Sequence, residues 1–232
     1  MQIRNLKTAA NQEFMKHFRF YFILFLPYLI LVTLSNMIAR SVSDALFVAV
    51  NNGDSVMDAY ATLARGPVYL TQLIGILGGL VLIGLSFNIL DLIRHRSDYQ
   101  NPIGKSTALF GNRMVLGVLA IVLLQFLFTF LWTLLFIVPG IIKNYSYSQA
   151  VYIYRDAIKN GHPISPLAAI TASRKLMVGH KGELFILQLS FIGWFFLLYL
   201  STNLLVFPIL GIFIYPYFQI TLMNYYRQLT NS

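Results

Sequence analysis

Apolar residues in this chain come in runs too long for the core of a water-soluble domain. About Arg19–Ala39, Pro67–Ile93, Met114–Val138, Leu184–Leu205 and Val206–Tyr226 hold very few charged residues. A helix rises 1.5 Å per residue, so about 20 residues cover the ~30 Å of bilayer hydrocarbon. Backbone groups in lipid must be satisfied internally, and these runs are too long for barrel strands. The pattern predicts five crossing helices and leaves one segment to be decided.

That segment follows the break at Pro139-Gly140. Residues 140–157 mix Ile141, Ile142 and Val151 with Lys143, Asn144, Ser146, Ser148 and Gln149, among Tyr145, Tyr147, Tyr152 and Tyr154. Proline lacks an N–H and clashes with the preceding turn, so the helix kinks or stops there. The segment is just long enough to cross, with a re-entrant or surface-lying helix as the alternative. If it crosses, its polar groups face the bundle interior, above all Asn144, Ser148 and Gln149. Lys143 then snorkels to the outer surface.

Shorter patterns fill the intervals. In residues 1–18, Ile3, Leu6, Ala10, Phe14 and Phe18 recur at helical spacing opposite Arg4, Lys7 and Lys16, which predicts an interfacial amphipathic helix. Residues 40–66 read as a polar extracytoplasmic loop, with short helices at Ala45–Val50 and Val56–Leu63 broken at Asn51-Asn52-Gly53. In the cytoplasmic loop 159–182, Ser165 is a good N-cap and Pro166 a good first-turn residue, so 166–179 should be a short helix at headgroup level. Gly75 and Gly79 form a GxxxG pair that lets helix backbones approach, within the chain or between copies in a homo-oligomer. Asp91 and Arg94, three apart, can pair.

Composition agrees with a lipid environment: 57% of the 232 residues are hydrophobic, 11% are charged, and the mean hydropathy is +0.68. The net charge of +9 is not a nucleic-acid signature here, because the basic residues sit in short clusters between apolar runs. The chain has no cysteine, which excludes disulfides, thiolate metal sites and a cysteine nucleophile.

Charge also sets topology. Residues 1–19 hold four Lys/Arg, 94–113 four, 155–181 five, and the tail Arg227, against two in 40–65 and a lone Lys143. If residues 140–157 cross, the first four groups share one side, as the positive-inside bias demands. The sequence therefore predicts an all-α, polytopic membrane protein of one domain, residues 1–232, with six transmembrane helices, additional interfacial helices and both termini cytoplasmic. Its location is the plasma membrane.

Candidate chemistry is sparse. No HExxH helix or GxSxG elbow occurs, and only Asp91 among the acids lies within an apolar run. His17, His95, His162 and His180 all fall in the cytoplasmic intervals. Arg174, Lys175, His180 and Lys181, on or beside a helix resting on the membrane, form a candidate lipid or phosphate site. Each cation there attracts anionic headgroups by ~1 kcal/mol. The competing reading is that they only fix orientation.

Three strings, FLWTLLFIVPGIIKNYSYSQAVYI, AITASRKLMVGHKGELFILQLSFIGW and YPYFQITLMNYYRQL, together resemble a family of integral membrane proteins of low-GC Gram-positive bacteria, the domain of unknown function nine-seven-five. The likeness runs over most of residues 94–229 and includes Trp132, Pro139, Gly140, Lys143, Tyr145, Ser173, Arg174, His180, Lys181 and Trp194. It implies a multi-helix plasma-membrane protein and transfers no functional residue. A fainter likeness, the Pro-Gly-Ile break after an apolar helix, is similar to membrane domains attached to glycerophosphodiester phosphodiesterases.

The resulting expectation is a non-enzymatic membrane protein that organises, senses or binds partners, with no cofactor and no metal. Its partner is the lipid bilayer, anionic headgroups included. The alternatives are a transporter or channel using the polar face of 140–157, and a lipid-headgroup-binding accessory domain.

Overall fold

The computed structural model describes residues 2–111, 114–201 and 207–231. Arg113, in the second basic cluster, and residues 202–206, where the fifth run was expected to meet the sixth, lie outside them. Among the described residues the chain is helical throughout, with no strand. In order, α1 is Ile3–Lys16, α2 Phe18–Asn51, α3 Val56–Ala59, then a π-helical turn Tyr60–Ala64 leading into α4 Arg65–Ile93. Next come α5 Pro102–Thr107, α6 Met114–Leu135, α7 Ile137–Tyr147, α8 Ala150–Lys159 and α9 Pro166–Leu176. The chain ends with α10 Lys181–Leu189, α11 Ile192–Ser201 and α12 Phe207–Asn231.

Four of these, α2, α4, α6 and α12, are long and apolar enough to cross a membrane. A fifth is added if α10 and α11, which meet at 42°, form one broken span. Six spans were expected; the difference is the segment 140–157. It is no single helix: α7 ends at Tyr147 and α8 starts at Ala150.

Pro139 does not end the preceding helix directly. The break falls at Phe136, which is extended, and Pro139 sits in the first turn of α7. Its missing N–H costs nothing there, because first-turn donors lack intrahelical partners. The polar interval 40–66 also contracts. Both short helices expected in it exist as continuations of α2 and α4, and only residues 52–55 are non-helical.

The core has two main parts. Aromatic and aliphatic residues of α1, α2, α4 and α12 (Phe14, Tyr21, Phe25, Leu85, Ile89, Met223) form one. The other joins α4 to α6, α8 and α9 through Leu80, Phe87, Val118, Ile121, Val151 and Ile170. The apolar stripe of α1 is read correctly from sequence, but protein covers it. Leu6, Ala10 and Phe14 are buried, with Leu6 in a cluster with Tyr225 and Leu229 at the end of α12. Glu13 fixes this helix further by accepting from Tyr21 and Tyr99. Burial and the nearby Glu13 push the Tyr99 hydroxyl well above the usual tyrosine range.

Candidate functional site: a basic pocket beside a broken helix

Ser146, Ser148 and Gln149 make the α7–α8 segment break. Ser146 Oγ donates to the Ile142 carbonyl (2.8 Å) and Ser148 Oγ to that of Tyr145 (2.9 Å). Such back-bonding competes with the helical ladder and bends helices. The backbone groups freed at the break find side-chain partners. Ser173 of α9, fully buried, donates to the Ser146 carbonyl (2.8 Å) and accepts from the Gln149 N–H (3.2 Å). Gln125 of α6 donates to the Tyr147 carbonyl (2.5 Å). One serine thus pins α9 across the break and sets the next residues, Arg174 and Lys175, beside α7.

Helix α9 starts as its residues dictate, with Ser165 Oγ accepting from the Ala168 N–H (3.2 Å) and Pro166 in the first turn. It ends in a turn where Gly179 has φ +82°, a left-handed conformation that glycine adopts without strain. That turn brings Lys181 back toward α7.

The result is a pocket of about 290 Å³ lined by Lys143 and Ser146 from α7, Thr171, Arg174 and Lys175 from α9, and Val178 and Lys181. Its lining holds four cations and two hydroxyls, and no carboxylate. The Lys143 ammonium also sits 4.4 Å from the centre of the Trp132 ring. Amines, a guanidinium and hydroxyls around one space suit a phosphate-like anion, which accepts from all of them.

Of the four residues expected to bind phosphate, Arg174, Lys175 and Lys181 line this pocket and His180 does not. The His180 ring lies 3.0 Å from Glu183, and its carbonyl accepts from Tyr225 (2.9 Å). Lys143 was missed, and its position is a correction: it was expected at the outer surface, away from the 155–181 cluster, yet it shares a pocket with Arg174 and Lys181. The chain brings them together because α9 turns back along α8 to the helix break. A lone lysine after an apolar run carries no signal for this.

The expected polar stripe does not form. Gln149 is buried at the break, Ser148 is half-buried, and Asn144 is exposed. The tyrosines pack helices instead: Tyr147 against Phe128, Tyr152 against Phe87 and Tyr226, and Tyr145 donating to Gln188 (3.0 Å). Gly75 and Gly79 have no atom within 4 Å of a built Cβ, so they mediate no close packing within the chain. They line an open groove of about 310 Å³ between α2 and α4.

A second polar cluster ties α4, α8 and α12 together. Arg155 is fully buried and contacts Asp91; it also bonds to Asp156 (2.9 Å) and to the Phe87 carbonyl (3.0 Å). Lys159 reaches Asp91 (2.5 Å), and Arg94 reaches both Asp156 oxygens (2.8 Å). Tyr226 donates to Asp156 (2.9 Å). The expected Asp91–Arg94 pair is thus replaced: each residue pairs with α8 instead. All groups in this cluster are satisfied by one another except Arg155 Nε and an off-line Asp91 Oδ1, so the arrangement reads as a structural clamp. No group of three or more metal-ligating side chains occurs among the described residues.

Residues 137–232 match a family model described as "Protein of unknown function (DUF975)". The match covers α7 to α12, and so every residue of the basic pocket; Trp132 and the rest of 94–136 precede it. No curated protein and no solved structure matches the chain.

Proposed function

We propose that this chain is a non-enzymatic, multi-pass protein of the plasma membrane, with both termini cytoplasmic, that holds anionic phospholipid headgroups in its basic pocket. The observation that carries the reading is the convergence of Lys143 with Arg174, Lys175 and Lys181 from separate elements onto one cavity. Solvated surface lysines that only fix orientation have no need to converge. The positive-inside bias supports a cytoplasmic pocket, since three of its cations belong to the most basic interval of the chain. The packing of Leu6 against Tyr225 and Leu229 supports termini on one side. The protein's role would be to organise or sense the membrane through the lipids it retains.

The test is lipid retention by the purified protein in nanodiscs of mixed anionic and zwitterionic phospholipid. Removing two cations worth ~1 kcal/mol each in Arg174→Gln/Lys181→Gln should weaken anionic-lipid binding about tenfold or more. Lys16→Gln, away from the pocket, should not. Equal retention by the double variant and the parent chain would end this reading, and inorganic phosphate competing as well as lipid would reassign the pocket to a free anion.

A further inference from the structure

We propose that the basic pocket selects lipids whose headgroup carries two or more negative charges, a phosphomonoester or a diphosphate, over singly charged phosphodiesters. The inference rests on the headgroup reading above and adds the chemical class that the pocket prefers.

The charge of the lining is unanswered. Lys143, Arg174, Lys175 and Lys181 supply four cations, and none of them meets a carboxylate among the described residues. The α4–α8 cluster is the contrast: there Arg94 pairs with Asp156, and Arg155 and Lys159 pair with Asp91. Glu183, two residues after Lys181, faces His180 (3.0 Å) and does not line the pocket. Like charges around one space repel, so the pocket gains most from a ligand that answers several of them at once. A phosphodiester brings one negative charge and leaves three cations over. A phosphomonoester carries close to two charges near neutral pH, and a diphosphate carries more.

The donors point the same way. Each ammonium has three N–H groups and the guanidinium five. A phosphodiester has two unesterified oxygens to accept them, and a phosphomonoester has three. The donors also reach the space from three elements, α7, α9 and the start of α10. Acceptors that face several directions use that arrangement better than a pair on one edge.

Size and surroundings favour a lipid. The cavity, about 290 Å³, is at the small end of ligand sites, which run from roughly 300 to 1,000 Å³. It takes a compact phosphate headgroup and leaves the tails outside. Apolar surface lies ready for them. Val178, in the lining, is 70% exposed, and Ile141 and Ile142, just before Lys143, are 51% and 46% exposed. A soluble phosphate has no use for uncovered aliphatic side chains beside its site.

The test compares three dioleoyl lipids retained by the purified full chain in nanodiscs: phosphatidic acid, a phosphomonoester; phosphatidylglycerol, a phosphodiester; and zwitterionic phosphatidylcholine. At pH 8, phosphatidic acid should be held about tenfold better than phosphatidylglycerol, because its added charge meets several cations. At pH 5, below the second phosphate pKa of about 6, it carries one charge and the preference should vanish. No histidine or carboxylate lines the pocket, so this change belongs to the ligand. A proton gained by His180, outside the lining, would favour both anionic lipids alike. Lys143→Gln/Lys175→Gln should cut the preference at pH 8 several-fold. Thr171→Glu, at an exposed lining position, keeps every cation and adds a carboxylate; it should do the same, and it serves if the double variant does not fold. Equal retention of phosphatidic acid and phosphatidylglycerol at pH 8, both above phosphatidylcholine, would overturn this inference and leave the headgroup reading standing. Equal retention of all three would end both. A preference that survives pH 5, or both variants, would not be one of charge and would overturn the proposal. So would displacement of phosphatidic acid by glycerol 3-phosphate at matched concentration, which would make the ligand a soluble phosphomonoester.

Discussion

Arg155 illustrates how a residue's partners escape its sequence spacing. Asp91 and Arg94 have the three-residue separation that lets helix neighbours pair, yet Asp91 binds Arg155 and Lys159 while Arg94 binds Asp156. Pairing rules along a helix are worth a few tenths of a kcal/mol, so tertiary contacts override them. A buried guanidinium between two carboxylates is stable only while both remain. Arg155→Met should therefore destabilise the protein by about 1–3 kcal/mol, because it leaves the buried Phe87 carbonyl unpaired and Asp91 and Asp156 with only Lys159 and Arg94 as cations. Thermal unfolding in detergent micelles would measure this, and an unchanged midpoint would show that water reaches the cluster. Lys143 teaches the same lesson at the pocket: Arg174, Lys175 and Lys181 were legible as a basic run beside a capped helix, but their fourth partner lies across a chain reversal.

Helices were more legible than their joints. Ser165 and Pro166 announce α9, and the spaced apolar residues of the N-terminus announce α1, because both signals are local. The short α5 was missed, although Asn101 and Pro102 supply the cap and first turn that its structure uses. The Ser148–Gln149 break depends on neighbours such as Ser173 and Gln125, which no window of sequence brings together. Glycines show the same divide. A Cβ on Gly117 would lie 1.9 Å from the Tyr154 hydroxyl, whereas one on Gly75 meets nothing. Gly117→Leu should cost about 1–3 kcal/mol by separating α6 from α8. Gly75→Ala should be neutral, or stabilising by up to about 1 kcal/mol through helix propensity. Parallel melting curves of the two variants would check the contrast, and equal effects would refute it.

For the whole molecule, composition pointed to the membrane class, because so apolar a chain has too few charged residues to cover a water-facing surface, and the structure has four helices long and apolar enough to cross. The number of crossings was harder to read. The positive-inside bias counts only where the chain re-emerges, and a hairpin that dips and one that crosses re-emerge alike. The N-terminal helix bears on the global arrangement, since Leu6 packs between the last turns of α12 and the start of α10. Leu6→Asp should place a charge in that seam and cost at least about 2 kcal/mol. It should also expose the C-terminal turns to proteolysis, which limited digestion would detect. A wild-type digestion pattern would mean that α1 is dispensable.

The length of α2 has a consequence for the opposite face. Its 34 residues reach about 51 Å, and a ~30 Å hydrocarbon slab covers only some 20 of them. In the multi-pass arrangement proposed above, the remainder, paired with the α3–α4 extension, would stand clear of the bilayer as a helical mast. Anything soluble approaching from that side would then meet the Asn51–Ser55 summit well before it meets lipid.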